Sequence, residues 1–153
     1  MQVRKARSED TASLVQFNQA MALETEGKHL EENVLKAGVQ AVLVNDDRGF
    51  YVVAEENGEV EGGLLVTREW SDWRNAWFWW IQSVYVVPQA RGKGLYRELS
   101  AFVWAMAQEA GDVCGIRLYV EKENHTAQAV YQHLGMHETE YLMYEQSSPD
   151  HRK

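Results

Sequence analysis

The 153-residue sequence contains a single cysteine, Cys114, and only two prolines. One cysteine cannot form an intramolecular disulfide, so the fold does not require an oxidising compartment. Its neighbours Val113, Gly115 and Ile116 indicate the start of a buried strand, and no cationic residue lies beside it that would favour a thiolate. We therefore expect Cys114 to be a packed, inert thiol and not a nucleophile.

The sequence also lacks an apolar run long enough to span a membrane and a basic-then-apolar leader. Positive charge is scarce: 15 Lys and Arg stand against 23 Asp and Glu, a formal net charge of -8. This charge disfavours unspecific binding to nucleic acid or to an acidic membrane surface, and it permits a cationic substrate. It also keeps a chain soluble whatever its substrate. We expect a cytoplasmic protein without nucleic-acid or membrane partners.

Apolar residues are plentiful enough for one core. Hydrophobic residues make up 45% and charged residues 25% of the chain, which are ordinary globular values. The length corresponds to about one domain, and no linker or repeat divides it. We expect a single domain over residues 1–146 and a polar tail over residues 147–153.

Hydrophobic periodicity and turn residues predict the order β-α-α-β-β-β-α-β-α-β. The predicted strands cover residues 2–7, 49–56, 59–70, 77–87, 115–120 and 138–145. The predicted helices begin after Ser8, cover residues 30–37 and 126–134, and present an apolar face from Leu95 to Ala110. Antiparallel hairpin strands followed by βαβ-type connections indicate a mixed α/β sheet with helices on both faces.

The connection between the apolar strand 77–87 and the next helix has the composition of an anion site. After Pro88 the chain reads Gln89-Ala90-Arg91-Gly92-Lys93-Gly94-Leu95-Tyr96. The first N–H groups of a helix are unpaired, the helix dipole is positive there, and glycines let a phosphate approach the backbone. The spacing fits neither a P-loop nor a dinucleotide-binding fold. An ordinary Gly-rich turn is the alternative interpretation.

A second segment reads Asn124-His125-Thr126-Ala127-Gln128-Ala129-Val130-Tyr131, followed by Gly135-Met136. Tyr131 lies seven positions after Asn124, about two helical turns, so the two residues roughly share a face. The two segments together resemble the GCN5-related N-acetyltransferase (GNAT) superfamily.

The family's phosphate signature, Gln/Arg-x-x-Gly-x-Gly/Ala, fits from Arg91 onward, with Tyr96 in place of the last small residue. Its later pattern, Asn-x-x-Ala-x-x-x-Tyr-x-x-x-Gly-Phe, fits from Asn124, with Met136 replacing Phe. The order of strands agrees with the family over nearly the whole chain.

This resemblance implies a GNAT-like fold of the α/β (α+β) class. Its sheet is mixed, mostly antiparallel and of about six to seven strands, with helices on both faces. Two central parallel strands splay apart at a β-bulge, and the pantetheine arm of acetyl-CoA enters the gap. The implied cosubstrate-binding residues are Val84, Tyr85, Val86, Arg91, Gly92, Lys93, Gly94, Leu95, Tyr96 and Asn124.

The resemblance also implies an acetyl-CoA-dependent N-acetyltransferase, in which an amine attacks the thioester directly in a ternary complex. Val86 N–H would bind the thioester carbonyl, and Tyr131 would protonate the leaving thiolate. Glu121 is the first candidate for the general base, and Glu24 and Glu26 are the next. A water relay, or plain solvated carboxylates, are the alternatives.

The acceptor is the least defined partner. Glu26, Trp70, Asp72 and Trp73 are candidate substrate-binding residues, since aromatic rings beside a carboxylate suit a cationic amine. A hydrophobic cover or a dimer contact is the alternative for the tryptophans, and a homodimer stays open. The histidines lack metal-ligand spacing, so we expect no metal. A small-molecule amine is preferred; a protein or peptide amine, or an acyl-CoA-binding sensor with weak catalysis, remain as alternatives.

Overall fold

The structure is a computed structural model that describes residues 1–151. The strands are β1 (Gln2–Lys5), β2 (Phe50–Glu56), β3 (Glu59–Ser71), β4 (Ala76–Val86) and β5 (Val113–Arg117). The helices are α1 (Thr11–Glu26), α2 (Glu32–Val44), α3 (Leu95–Ala110) and α4 (His125–His133), with short 3-10 turns at Ser8–Asp10, Asp46–Arg48, Pro88–Ala90 and Pro149–His151. The chain forms two compact units, Met1–Tyr119 and Val120–Lys153, which are described in turn.

The first unit contains a single sheet of five strands among the described residues, in the order β1-β2-β3-β4-β5. The first three pairings are antiparallel and the β4–β5 pairing is parallel. The predicted mixed, mostly antiparallel sheet is confirmed, with fewer strands than the six to seven expected.

The β2–β3 hairpin turns at Asn57 and Gly58, as predicted. Both residues have positive φ, 52° and 80°, the conformation that a tight two-residue hairpin turn requires. Further along β3, a β-carbon on Gly62 would lie 2.6 Å from Leu95 Cδ2 and 3.0 Å from the Tyr85 carbonyl oxygen. The absent side chain at Gly62 therefore lets β3 lie close to the first residue of α3.

Helices cover both faces of the sheet, as predicted. On one face α3 buries Leu95, Leu99, Val103 and Ala107 against the strands. On the other face α1 and α2 pack against strand residues. The buried residues of this second cluster are Leu14, Val15, Phe17, Val39, Tyr51, Val53 and Tyr85. Apolar burial on both faces supplies the main stabilising free energy of this unit.

The predicted end of the second helix at Gly38 is wrong, because α2 continues to Val44. Gly38 keeps a helical backbone, and the following residue, Val39, is 1% exposed. Burial of Val39, with Leu35 and Val42 packed against the same cluster, outweighs the roughly 1 kcal/mol by which an interior glycine weakens a helix.

The last strand of the first unit, β5, begins and ends earlier than the predicted 115–120. Its register with β4 runs from Trp77↔Val113 to Trp80↔Arg117, and the strands no longer pair beyond that point. The expectation of a packed Cys114 is also wrong. Its side chain is exposed and its Sγ lies 3.3 Å from the Trp77 carbonyl oxygen, because β5 is an edge strand of the sheet in the described chain.

The second unit contains α4, which begins after Asn124 and ends before Gly135, close to the predicted bounds. The strand predicted over residues 138–145 is wrong: these residues have no regular secondary structure, and Tyr141, Leu142, Met143 and Tyr144 are exposed. A strand forms only where its backbone finds a pairing partner, which local sequence does not supply. No helix within residues 1–151 has the length and apolarity needed to cross a membrane.

Candidate active site

The site is built on an irregularity in β4. Gly63 pairs with Tyr85 and Leu65 pairs with Gln82, so β4 has one residue more than β3 in this interval. Ser83 lies in the interval with a φ of +53°, which is uncommon for a residue with a side chain. This is a β-bulge, and it redirects the strand immediately before residues 84–86.

β4 and β5 pair only over a short parallel ladder, which ends before the bulge. Their parallel register ends at Trp80↔Arg117, whereas β4 continues to Val86. Over residues 81–86 the edge of β4 that faces away from β3 is therefore not paired with β5. The predicted splay of two parallel strands is confirmed, although β5 is an edge strand of the described sheet and not a central one.

The peptide of Val86 points toward that open edge. Val87 N–H donates to the Glu61 carbonyl oxygen on the β3 side at 2.9 Å. Because successive peptide groups of a strand point to alternate sides, the N–H and C=O of Val86 point away from β3. The Val86 carbonyl accepts from Arg91 Nε at 2.9 Å, in agreement with this orientation.

The loop after β4 leads directly into the N-terminus of α3. Gly92 and Gly94 have φ values of +77° and +78°, and no atom lies within 4 Å of the place a β-carbon would take on either. They are needed for backbone conformation and not for space. Gly94 is the residue before α3 and offers no side chain to cap it, so the first N–H groups of the helix have no such acceptor.

Two residues at the start of α3 anchor the loop. Leu95 is buried in the core cluster, and the ring of Tyr96 packs against the same cluster. Tyr96 stands where the family signature has a small residue, and its ring packs against the apolar core between α3 and the sheet. Lys93 is exposed beside the loop and Arg97 is exposed in the first turn of the helix. The loop therefore has the donors and the charge of an anion site.

Glu24, in the last turn of α1, is bound by two residues of β4 and the loop. The Tyr85 hydroxyl donates to Glu24 Oε2 at 2.6 Å, and Arg91 Nη2 donates to Glu24 Oε1 at 2.9 Å. The Arg91 guanidinium also lies 5.4 Å from the centre of the Tyr85 ring. The structure thus brings together Glu24, Tyr85, Val86 and Arg91, all of which the sequence had singled out.

These contacts set the protonation of the group. The Tyr85 hydroxyl and then the Arg91 guanidinium hold the pKa of Glu24 below its ordinary value. Burial, and the hydrogen bond to Glu24, raise the pKa of Tyr85. Tyr85 therefore remains a protonated donor and Glu24 an anionic acceptor at neutral pH.

The sequence interpretation used only the backbone of Tyr85 and missed its side chain. Alternation along β4 sends the Tyr85 ring to the face opposite Val84 and Val86, which is the face that α1 covers. There the ring contacts Phe17 of α1, with centroids 5.4 Å apart. That alternation was the available signal, together with a carboxylate near the end of the predicted first helix.

The candidate substrate-binding residues do not contact Glu24 in any hydrogen bond or ion pair described for them. Glu26 is exposed and pairs with Lys28 at 3.1 Å. Trp70, Asp72 and Trp73 lie at the β3–β4 turn, where Trp70 pairs with Trp77. Trp77 and Tyr85 are eight positions apart in β4, roughly 26 Å along a strand. The tryptophan turn is therefore at the opposite end of β4 from the bulge.

In the second unit, Asn124 caps α4: its side-chain oxygen accepts from Ala127 N–H at 3.1 Å. Glu121 is exposed, and its backbone carbonyl oxygen accepts a hydrogen bond from the side-chain amide of Gln128. Tyr131 is half-buried, and burial raises the pKa of its hydroxyl. Among residues 1–151, no group of three or more His, Cys, Asp or Glu is arranged to hold a metal ion.

Comparison with known proteins finds similar chains and similar folds. An uncharacterized N-acetyltransferase, YhfO, of Bacillus subtilis (strain 168) is 28% identical over 139 residues, covering 90% of this chain and 91% of the relative. The crystal structure of a possible acetyltransferase from Clostridium difficile 630 superposes with a TM-score of 0.90, at 42% identity, covering 96% and 97% of the two chains.

A third similar structure is described as a predicted acetyltransferase with acetyl-CoA from Clostridium acetobutylicum. Its TM-score is 0.76 at 21% identity, covering 94% of this chain and 95% of that one, which is a likeness of fold. The model of the acetyltransferase (GNAT) family matches residues 13–136, most of the chain. The chain belongs to the acetyltransferase (GNAT) family, whose members use acetyl-CoA as the acetyl donor.

Proposed function

We propose that this acetyltransferase transfers the acetyl group of acetyl-CoA to a primary amine, preferably on a small molecule. One observation carries the proposal: after the bulge at Ser83, the Val86 N–H faces the edge of β4 that β5 leaves unpaired. Immediately after it, the Gly92–Gly94 loop opens onto the start of α3. A hydrogen-bond donor suited to the thioester carbonyl is therefore followed, along one stretch of backbone, by a set of donors suited to the diphosphate.

The described residues fit acetyl-CoA in the chemistry of their donors. Val86 N–H faces the open edge of β4 and is suited to bind the thioester carbonyl oxygen, on which negative charge develops during attack. One such donor is worth about 3 kcal/mol in the transition state. The N–H groups from Gly92 to Tyr96, with Arg91 and Lys93, are suited to the diphosphate.

When bound, acetyl-CoA supplies an activated acetyl group. The amine nitrogen forms the C–N bond as the C–S bond breaks, so the amine must lose a proton and the thiolate must gain one. We propose Tyr131 as the acid that gives the thiolate its proton. Burial raises the pKa of this hydroxyl, which keeps it protonated at neutral pH.

For the proton of the amine we retain Glu121, or a water relay, as the acceptor. An efficient base has a pKa near the working pH. The pKa of Glu24 is instead lowered by Tyr85 and Arg91. Glu24 is accordingly better suited to hold an ammonium group than to remove its proton. Asn124 would bind the pantetheine arm, as in the family pattern.

A thiol-release assay over polyamines, amino acids, aminoglycosides and amine-bearing peptides tests the proposal. Release of free thiol with a small amine, together with the acetylated amine by mass spectrometry, is the expected result. Turnover only with peptides would replace the small-molecule acceptor by a protein amine. Binding of acetyl-CoA without turnover for any amine would contradict the enzyme and favour a sensor.

A further inference from the structure

Arg91 is held by the Glu24 carboxylate and by the Val86 carbonyl, although its place in the loop suits a diphosphate. Its Nη2 donates to Glu24 Oε1 at 2.9 Å and its Nε donates to the Val86 carbonyl at 2.9 Å. An arginine has one positive charge and a planar fork of donors, so a diphosphate and the Glu24 carboxylate would compete for it.

The C-terminal end of α1 carries an excess of negative charge, which favours binding of a cation. The last turn of α1 has no basic residue, and Gly27 follows it in a left-handed conformation with φ of +64°. Carbonyl groups at a helix C-terminus carry partial negative charge. Glu24 adds a full negative charge to these partial charges. The charge of Glu26 is balanced by its ion pair with Lys28. Arg91 reaches this negative end from a distant part of the chain and neutralises it.

We propose that Glu24 is the acceptor subsite for the ammonium group, and that Arg91 occupies it until the diphosphate of acetyl-CoA draws Arg91 away. This inference rests on the proposed function, because it assumes that the loop binds the diphosphate. Once released, Glu24 keeps the Tyr85 hydroxyl as a donor, and its other oxygen becomes available to a cation. Acetyl-CoA then binds first and the amine second.

The competition has a direct consequence for coenzyme A alone. Removing the charge of Glu24 frees Arg91 in the apoprotein, so Glu24→Gln should bind coenzyme A about 5- to 10-fold more tightly by isothermal titration calorimetry. The matched control is Glu32→Gln, which removes the same charge from an exposed residue at the start of α2. This control should leave the affinity unchanged, which separates competition for Arg91 from the change in net charge.

A second measurement uses the unaltered protein and needs no knowledge of the natural acceptor. The side-chain carboxyl of Glu24 is followed by 13C NMR during a pH titration, with and without saturating coenzyme A. Coenzyme A should raise the pKa of Glu24, since Arg91 leaves it. Adding n-butylamine to the coenzyme A complex should lower that pKa again, whereas n-butanol at the same concentration should not.

The outcomes separate this inference from the function on which it rests. If wild-type protein does not bind coenzyme A, the proposed function fails. If wild-type binds it, but Glu24→Gln binds it equally or less tightly, or the pKa of Glu24 does not rise, the subsite and the order of binding are wrong. A pKa that rises with coenzyme A but ignores n-butylamine would refute the ammonium subsite.

Discussion

Tyr131 is the single side chain on which the proposed chemistry depends most. It matches the tyrosine of the family pattern, and it is half-buried in the second unit. Its backbone carbonyl accepts a hydrogen bond from Met136 N–H at 3.0 Å, so backbone hydrogen bonds stabilise the C-terminal end of α4 near Tyr131. Only the hydroxyl oxygen is required for the transfer of a proton, which makes a one-atom test available.

Tyr131→Phe should lower kcat by about 100-fold or more, because a positioned acid contributes roughly that factor. The Kd for acetyl-CoA should stay within about twofold of wild type, since the ring is retained. Stopped-flow kinetics and calorimetry measure the two quantities. Equal losses in kcat and affinity would indicate a packing role instead.

The pH dependence of kcat checks the same residue. Burial raises the pKa of Tyr131, and the acid must be protonated to act. The fall in kcat caused by loss of this proton should therefore lie above the ordinary tyrosine value of about 10. Tyr131→Phe should lack that alkaline fall while keeping any acidic limb of the profile.

Among elements, the loop between β4 and α3 lies where the sequence predicted it, between an apolar strand and an amphipathic helix. Its glycines and cations are contiguous, so local composition sufficed to indicate an anion site. The bulge is different, because a serine with positive φ at position 83 has no local signal. Glu24 and Arg91 are 67 positions apart, so their contact depends on the tertiary fold. The strand predicted at residues 138–145 failed because pairing is equally non-local.

Gly94→Ala tests the conformation of the loop. Gly94 has a φ of +78° with open space around it, so alanine strains the backbone without a clash. We expect about 1–2 kcal/mol of lost stability and at least a 10-fold weaker Kd for acetyl-CoA, as the N–H groups shift.

The matched control is Gly111→Ala, at the other end of the same helix. Gly111 has a φ of +80° and equally open surroundings. It should lose a similar amount of stability in urea unfolding while binding acetyl-CoA as the wild type does. Equal affinities for the two variants would mean that the loop conformation does not matter for binding.

At the scale of the whole molecule, a partly buried ion cluster joins β1, the turn before α1 and β2. Arg4 donates to both carboxylate oxygens of Asp10 at 2.8 and 3.0 Å and to Glu55 at 3.0 Å. Arg7 N–H also donates to Asp10, which is 5% exposed. Without the Asp10 carboxylate, Arg4 would keep Glu55 as its anionic partner but would lose two charge-assisted hydrogen bonds.

Asp10→Asn should reduce the free energy of unfolding by about 2 kcal/mol at neutral pH, because hydrogen bonds to a charged group are lost. Burial opposes the ionisation of Asp10, but the hydrogen bonds from Arg4 and Arg7 outweigh it and lower its pKa. The stabilisation is therefore complete above the unfolded pKa of about 3.9 and is lost as pH falls through the lower folded value.

Urea unfolding followed by tryptophan fluorescence should accordingly show the difference between wild type and Asp10→Asn shrinking below about pH 4. Glu9→Gln is the control, because the ion pair of Glu9 with Arg7 is exposed and contributes little to stability. A difference that stays constant down to the acid transition would contradict the assigned role of Asp10.

The central claim is that one stretch of backbone, from Val86 through the loop to Tyr96, binds acetyl-CoA. The most direct measurement is the 15N–1H spectrum of labelled protein during titration with acetyl-CoA and, separately, with S-acetylpantetheine, which lacks the diphosphate. Acetyl-CoA should shift the amide signals of Val86, Gly92, Gly94 and Tyr96 at saturation. S-acetylpantetheine should shift Val86 and leave the loop signals in place. Loop amides that stay unmoved by saturating acetyl-CoA would contradict the claim.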